Sequence, residues 1–346
     1  MLVSNAPALI LAPMEGVTDA PMRALQGATG AFTYAVSEFF RISHSVPSKS
    51  VLLRHVPELL NGARTSTGLP VQVQLLGGHA GRLAEAAVVA FEAGATAIDM
   101  NFGCPANTVN RHDGGASLLK HPERIREIVR AIRDALPPEI PVSAKLRLGW
   151  DCVESIHENA AMAAEGGASW LTIHARTRTQ GYAPPVYWPL IGQVRERLGI
   201  PIVANGDIWN IEGFRRCREE TGCRHFMLGR GALATPGFAN EVAVELGIAS
   251  KSTPELLNDW PSQLRRLVAF TPAFRTLTPA QSVVRLKQWL RLAATHGSFP
   301  HFDAIKRTRS ADELFATLDN LAPFPVLAAT DRGLSQPLIS QALQTA

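Results

Sequence analysis

Cys104 stands between Gly103 and Pro105 in the run Asp99–Leu119, DMNFGCPANTVNRHDGGASLL, where an apolar pattern gives way to a loop. A free cysteine is usually a small buried hydrophobe, and a Gly-Cys-Pro loop is a poor place for one. No histidine adjoins it in sequence to lower its pKa, so the chemistry expected of it is that of a neutral thiol giving up a proton. SAKLRLG and HARTRTQGY place Lys145 with Arg147, and His174 with Arg176, at alternate positions, which share one face of a strand. A buried cation is costly unless something anionic or electron-rich meets it, which makes Lys145 a candidate to face an anion or a ring. A lone histidine such as His174 is more often a satisfied core residue than a catalyst. Polar residues at five strand ends in concert turn the balance toward a site.

APMEGVTDAPMR (Ala12–Arg23) opens directly after the first apolar run, and Pro13 cannot donate a ladder hydrogen bond there. That leaves the backbone at Pro13 and Met14 either to end a strand in a plain turn or to line a flat ligand. Gln74, in VQVQLL, is an amide inside a β-branched strand. It can donate and accept at the edge of a heterocycle, or satisfy a polar neighbour in the core. Cys152, Cys217 and Cys223 read as structural, and no metal site is expected.

The elements that must position these groups repeat. Strand patterns at Ala8–Met14, Phe32–Phe39, Val71–Leu76, Ala97–Phe102, Val142–Leu148, Trp170–Ala175, Ile202–Asn205 and His225–Leu228 alternate with helical ones at Gly81–Ala93, Pro122–Leu136, Glu154–Glu165, Pro189–Leu198, Ile211–Glu220 and Gly237–Leu246. Left-handed helix ends are expected at Gly94, Gly166, Gly199, Gly222 and Gly247. Eight βα units over about 250 residues predict a TIM (β/α)8 barrel in residues 1–250, and no GxGxxG follows any strand to favour a doubly wound sheet. In such a barrel the seventh and eighth strand ends, ANGD and LGRGAL, are where loop amides and a helix N-terminus hold a phosphate. Gly206, Gly229 and Gly231 would let the backbone approach, and Arg230 adds charge. After Gly247 the strand pattern stops, and Gln263–Phe270, Ala280–Ala294 and Asp312–Leu318 predict a small all-helical C-terminal domain, residues 251–346, with Pro254, Pro261, Pro272 and Pro279 at its entry.

Hydrophobic residues make up 46% and charged residues 18% of the 346, a composition that excludes disorder and fibres. No uncharged apolar run is long enough to span a membrane, and the first basic residue is Arg23, so neither a membrane segment nor a charged signal-peptide start is expected. Four cysteines without a CxxC pair fit a reducing cytoplasm. The formal charge of +4 is unevenly spread: residues 1–248 hold 23 basic and 23 acidic residues, while 263–310 hold nine basic residues and the single acid Asp303. A neutral body with a basic appendage points to a polyanion held beside a separate site.

Together APMEGVTD, NFGCPANTV, KLRLG, HARTRTQGY, NGDI and GRGAL stand in the order and at spacings similar to those of the tRNA-dihydrouridine synthases. The chain resembles that family over nearly its whole length. MEGV and RLKQWL (residues 285–290) look closest to the branch acting on uridine 16 of the D-loop. The resemblance implies a bound FMN that reduces a uridine in tRNA, recharged by NADPH or NADH. Cys104 would protonate C5 of the uracil. Ala12, Pro13 and Met14 would border the flavin, Gln74 and Lys145 would contact its ring, His174 would lie beside it, and Asn205, Gly206, Asp207, Gly229 and Arg230 would hold its tail and phosphate. Asn101 would bond the target uracil and Tyr182 would lie against the extruded nucleotide. Arg41, Arg285 and Lys287 match family positions that touch tRNA, and the last two fall in the basic stretch. A monomer without a stable protein partner is expected. In this sequence Leu292 takes a place where an aromatic residue is expected of that branch, and the Thr330–Ala346 tail is unusual.

Two other readings share parts of the pattern. An FMN barrel acting on a free small molecule, similar to dihydroorotate dehydrogenase, accounts for the barrel residues and leaves the basic appendage without work. A tRNA-folding chaperone that has lost catalysis would have no use for Cys104, Lys145 and the phosphate element together.

Overall fold

Eight parallel strands close on themselves: β1 (Ala8–Leu11), β2 (Tyr34–Arg41), β3 (Val71–Leu76), β4 (Ile98–Phe102), β5 (Val142–Arg147), β6 (Trp170–His174), β7 (Ile202–Asn205) and β8 (His225–Leu228), with β8 paired back to β1. The computed structural model describes residues 1–2, 6–250, 259–271, 278–297 and 299–321. The expected TIM barrel is therefore present, and three strands, β3, β7 and β8, have the expected bounds. The six expected barrel helices form at Ala80–Glu92, Pro122–Ala135, Ser155–Glu165, Trp188–Arg197, Ile211–Thr221 and Phe238–Glu245.

Strand residues are buried on both faces, as a parallel sheet wrapped in helices requires. Period-two alternation then divides them. Leu9, Val73, Met100, Ala144, Ile173 and Phe226 join the layer under the helices, while Ile10, Tyr34, Val36, Trp170, Val203 and Met227 form a separate cluster inside the barrel. The same alternation turns Gln72, Gln74, Asp99, Asn101, Ser143 and Lys145 of β3, β4 and β5 inward, so one half of the barrel interior is polar. Register sets Gln74 beside Asp99, Asn101 beside Lys145, Arg147 beside His174 and His174 beside Asn205. A bulge in β2 between Val36 and Phe39 brings Phe39 to the rim.

Two glycine expectations fail. Gly166 is right-handed and the left-handed turn falls one residue later, at Gly167, while Leu198 before Gly199 leaves its helix in an extended conformation with no left-handed residue. The first helix thus makes its left-handed turn one residue later than expected, and the second exits extended toward the next strand. Cys217 and Cys223 are buried as expected, but Cys152 is exposed and bonds Glu154, so it packs nothing.

Helices Trp260–Phe270, Pro279–His296, Phe302–Ile305 and Ala311–Asp319 follow the barrel, with Pro261 and Pro279 in their first turns, where the missing N–H costs nothing. Thr278 and Gln281 close a reciprocal capping box on Pro279–His296. The expected helical region is present; Pro254, Pro272 and the Thr330–Ala346 tail lie outside the described residues. Its core is shared with the barrel: Met22, Leu25 and Leu233 pack with Trp260, Leu264, Leu286 and Trp289, and Trp289 Nε1 donates to the Leu233 carbonyl at 2.9 Å. Among the described residues, no helix is long and apolar enough to cross a membrane.

Candidate active site

The C-terminal ends of the strands surround a cavity of about 870 Å³, a size suited to a cofactor with part of a substrate. Ala12, Pro13, Met14, Asn101, Cys104, Lys145, His174, Tyr182, Asn205, Gly206, Asp207, Gly229 and Arg230 all line it. Residues singled out from sequence thus converge from the ends of β1, β4, β5, β6, β7 and β8 and from the loop after β6. Gln74 does not line it. Its side chain is fully buried, donating to Asp99 Oδ2 at 2.7 Å and accepting from Asn101 Nδ2 at 2.9 Å. Of the two readings left open for this amide, the structure places it with core neighbours directly behind the cavity wall.

Cys104 is half-buried on the loop after β4. Its N–H and that of Gly103 both donate to Asn101 Oδ1 at 2.9 Å, while its own carbonyl accepts from the Ala116 N–H at 3.1 Å and from Asn110 Nδ2 at 3.2 Å. Burial pushes its thiol above the ordinary range, against a smaller pull from a backbone hydrogen bond and Arg147. At neutral pH the group is therefore a protonated thiol, the form that can act as an acid. A second cavity of about 520 Å³ opens on the other side of Cys104, lined by Glu15, Phe39, Phe40, Arg41, His55 and Thr108 among others. Arg41 is exposed there and donates to the Thr108 carbonyl.

Lys145 Nζ donates to Asn205 Oδ1 at 2.9 Å, and Asn205 Nδ2 donates in turn to the Met227 carbonyl at 2.8 Å. Burial, assisted by repulsion from Arg147, brings the Lys145 pKa down to about 8, with Asp99 pulling the other way. Burial raises the Asp99 carboxyl, although hydrogen bonds from Ser143 and Gln74 and the Lys145 charge oppose it. His174 is held well below its usual range by burial and by the cations Arg147, Lys145, Arg176 and Arg230, so its imidazole is neutral. Its Nδ1 is buried without a hydrogen-bond partner.

Asp207 sits between two guanidiniums: Arg176 Nη2 ion-pairs with its Oδ2, and Arg230 lies 3.6 Å from its Oδ1. Its carboxylate, at the cavity wall, orients both arginines. Gly206 before it has φ +112°, and a Cβ there would stand 3.2 Å from the His174 ring. Only glycine combines that conformation with that approach. Above this corner Arg230 lies between Tyr182 (4.0 Å) and Trp209 (4.9 Å), Arg147 approaches the Tyr182 ring at 5.2 Å, and Trp209 stacks on His296 of the C-terminal helix. The basic helices thus form part of the site's wall, and Leu292 lines the cavity.

Arg285 and Lys287 border neither cavity. Arg285 bonds Asp19 and the carbonyls of Gly16 and Val17, while Lys287 Nζ donates to the carbonyls of Lys306 and Thr308. Sequence reasoning places Arg147 and Arg176 beside Lys145 and His174 on alternating strand positions without assigning them to the site, although both shape its charge. Trp209 and Phe39 give no sequence signal, since their approach depends on a loop and a bulge.

This geometry is matched by relationships in sequence. The family model described as Dihydrouridine synthase (Dus) matches residues 10–320. The chain belongs to the dihydrouridine synthase family. It is 42% identical over 310 residues to a tRNA-dihydrouridine(16) synthase of Neisseria meningitidis serogroup B, an alignment spanning 88% of this chain and 92% of that one. It is 40% identical over 315 residues to a protein of the same name from Pseudomonas syringae pv. tomato, spanning 90% and 98%. Among solved structures, histamine dehydrogenase from Rhizobium sp. 4-9 superposes with a TM-score of 0.53 at 12% identity, covering 77% of this chain and 49% of that one, a likeness of fold. For a dihydrouridine synthase, the concentration of polar groups at the barrel's C-terminal mouth is where the fold puts chemistry.

Proposed function

We propose that this protein reduces uridine to 5,6-dihydrouridine in the D-loop of tRNA, at position 16, using FMN as resident cofactor and NADPH or NADH as a transient reductant. The observation that carries the reading is Cys104, a protonated thiol on the wall of a cavity that also holds a buried lysine and a neutral histidine. The relatives named for the same position 16 support the choice of uridine.

The residues present fit a flat ring with a phosphate tail. Gly206 lines the cavity in a conformation and at an approach to His174 that only glycine allows, His174 Nδ1 is buried without a partner, and Lys145 offers charge. Ala12, Pro13, Met14, Lys145 and His174 would hold the ring, and Asn205, Gly206, Asp207, Gly229 and Arg230 the tail. The helix Arg230–Ala234 is five residues long, so arginine charge rather than a helix dipole would meet the phosphate. Reduced FMN, when bound, supplies hydride to C6 of the uracil.

The chain's own residues do the rest. The Cys104 Sγ–H gives its proton to C5, and the burial that raises its pKa keeps that proton in place until then. Asn101, whose oxygen is already taken by two backbone N–H groups, presents an N–H to a carbonyl of the base. Tyr182, 54% exposed at the mouth, would lie against the extruded nucleotide. Arg41 beside Cys104, with the basic helices between Trp260 and Asp319, would carry the tRNA backbone, and Arg285 and Lys287 would serve it by fixing those helices. The protein would work as a cytoplasmic monomer.

The test is mass-spectrometric mapping of dihydrouridine in tRNA from cells with and without this gene. Loss at position 16 alone supports the whole reading. Loss elsewhere keeps the chemistry and overturns the position, and no loss anywhere overturns the function.

A further inference from the structure

We propose that Asp99 is a positioning residue for the reduction: its carboxylate, acting through Gln74, locks the Asn101 amide in the orientation that holds the Cys104 loop and offers a hydrogen bond to the base. The proposal rests on the function proposed above for its catalytic consequence, and on the hydrogen-bond chain alone for its structural one.

An amide can turn over by 180° with little change of shape, so its orientation is decided by its neighbours. A carboxylate only accepts. Asp99 Oδ2 therefore requires the Gln74 NH₂, which donates to it at 2.7 Å, and this leaves Gln74 Oε1 facing Asn101. That oxygen requires the Asn101 NH₂, which donates at 2.9 Å, and so turns Asn101 Oδ1 toward the N–H groups of Gly103 and Cys104, each 2.9 Å away. Both lone pairs of Oδ1 are then used, and the second N–H of Asn101, on the cavity wall, remains for a ligand. Asp99 is 2% exposed and Gln74 fully buried, so water does not compete for either link. The other Asp99 oxygen takes the Ser143 hydroxyl, which itself accepts from Gln72 Nε2. The chain is thus fixed from both ends, by the Asp99 acceptor below and by the backbone donors of Gly103 and Cys104 above, and Asp99 secures the buried half of it.

Three variants test this. Asp99→Asn replaces the obligatory acceptor by an amide that accepts or donates, and one of the two anchors of the chain's direction is lost. Asp99→Asn with Gln74→Glu moves the carboxylate one position along, where it accepts from the new amide at position 99 and from Asn101 and restores the direction at unchanged charge. Ser143→Ala removes the other partner of Asp99 and leaves the direction intact. Expected for Asp99→Asn are ~10-fold or greater acceleration of amide exchange at Gly103 and Cys104 and a ~10- to 100-fold lower kcat with little change in the KM for tRNA. The double variant should regain the exchange protection and part of kcat, and Ser143→Ala should stay near wild type in both. Unchanged exchange in Asp99→Asn, or no regained protection in the double variant, overturns the proposal. A kcat loss that is absent at low pH and grows as pH rises toward about 8, where wild-type Lys145 is still charged, overturns it too, because Asp99 would then act as the lysine's counter-charge. Wild-type protein that makes no dihydrouridine overturns the function while the exchange data still judge the chain.

Discussion

Arg285 Nη2 donates to Asp19 Oδ1 across 2.6 Å, and the same guanidinium donates to the carbonyls of Gly16 and Val17 at 3.1 Å. One side chain of the helix Pro279–His296 thus anchors the loop that follows β1, whose residues Ala12 to Glu15 line the cavity. Its charge is neutralised and its side chain is 16% exposed, which leaves little for a phosphate.

Arg41 differs on each count. It is exposed, it has a backbone carbonyl as its partner, and no ion pair engages it among the described residues. Arg41→Ala is therefore expected to weaken tRNA binding and to lower the slope of log affinity against log salt by about one. Arg285→Ala should change that slope less while lowering the thermal midpoint, because three hydrogen bonds to the β1 loop are lost. Filter binding over a salt series with parallel melting curves separates the two, and equal slopes for both variants would refute the distinction.

Cys104→Ala is expected to retain flavin and tRNA affinity and to lose dihydrouridine formation by about 10²- to 10⁴-fold, the usual worth of a positioned acid. The raised thiol pKa adds a second expectation. Alkylation of Cys104 should be slow at pH 7 and climb with pH beyond the range of an ordinary thiol. Turnover near wild type in the alanine variant would remove the thiol from the reaction.

What can be read from sequence is what short-range periodicity carries. Alternation within β5 and β6 puts Lys145 with Arg147, and His174 with Arg176, on one face, and every one of the eight strands is visible as an apolar run. Hydrogen-bond partners brought together by barrel closure are not visible: Gln74 meets Asp99 across 25 residues and Arg285 meets Asp19 across 266. For that reason sequence reasoning, which puts Gln74 at the flavin and Arg285 and Lys287 at the tRNA, gives no sign that Gln74 bonds Asp99 and Asn101 or that Arg285 and Lys287 tie chain segments together. The basic count of the C-terminal stretch is correct as charge, but ion pairs such as Arg265 with Asp319 consume part of it.

Lys145 carries a pH signature. Its native pKa of about 8 lies below that of a lysine in the unfolded chain, so between pH 8 and about 10.5 the folded protein binds fewer protons and stability rises with pH. Below pH 8 the full cost of the buried charge remains. Lys145→Met should abolish this rise and stabilise the flavin-free protein at pH 7 by about 1–3 kcal/mol, while destroying activity. Urea unfolding at pH 7 and 9.5 measures it. A wild-type gain between those pH values no larger than the variant's would show that Lys145 is not buried as a cation.

Gly297 gives the seating of the C-terminal helices a direct test. It follows Pro279–His296, and a Cβ there would lie 2.1 Å from the carbonyl oxygen of Ala234, a backbone atom that cannot rotate away. Ala234 ends the short helix that begins with Arg230, and Trp289 Nε1 holds the carbonyl of Leu233 beside it. Gly297→Ala must therefore push the bundle off this helix, at an expected cost of about 1–3 kcal/mol. Because Arg230 and Gly231 line the cavity from the same short helix, the variant should also hold flavin more weakly. Gly199→Ala is the control, since a Cβ there meets nothing within 4 Å and should change stability by less than about 0.5 kcal/mol. Melting curves and flavin content of the two variants decide: equal values would mean that the bundle does not sit on Ala234 as described, and that the cavity wall stands without it.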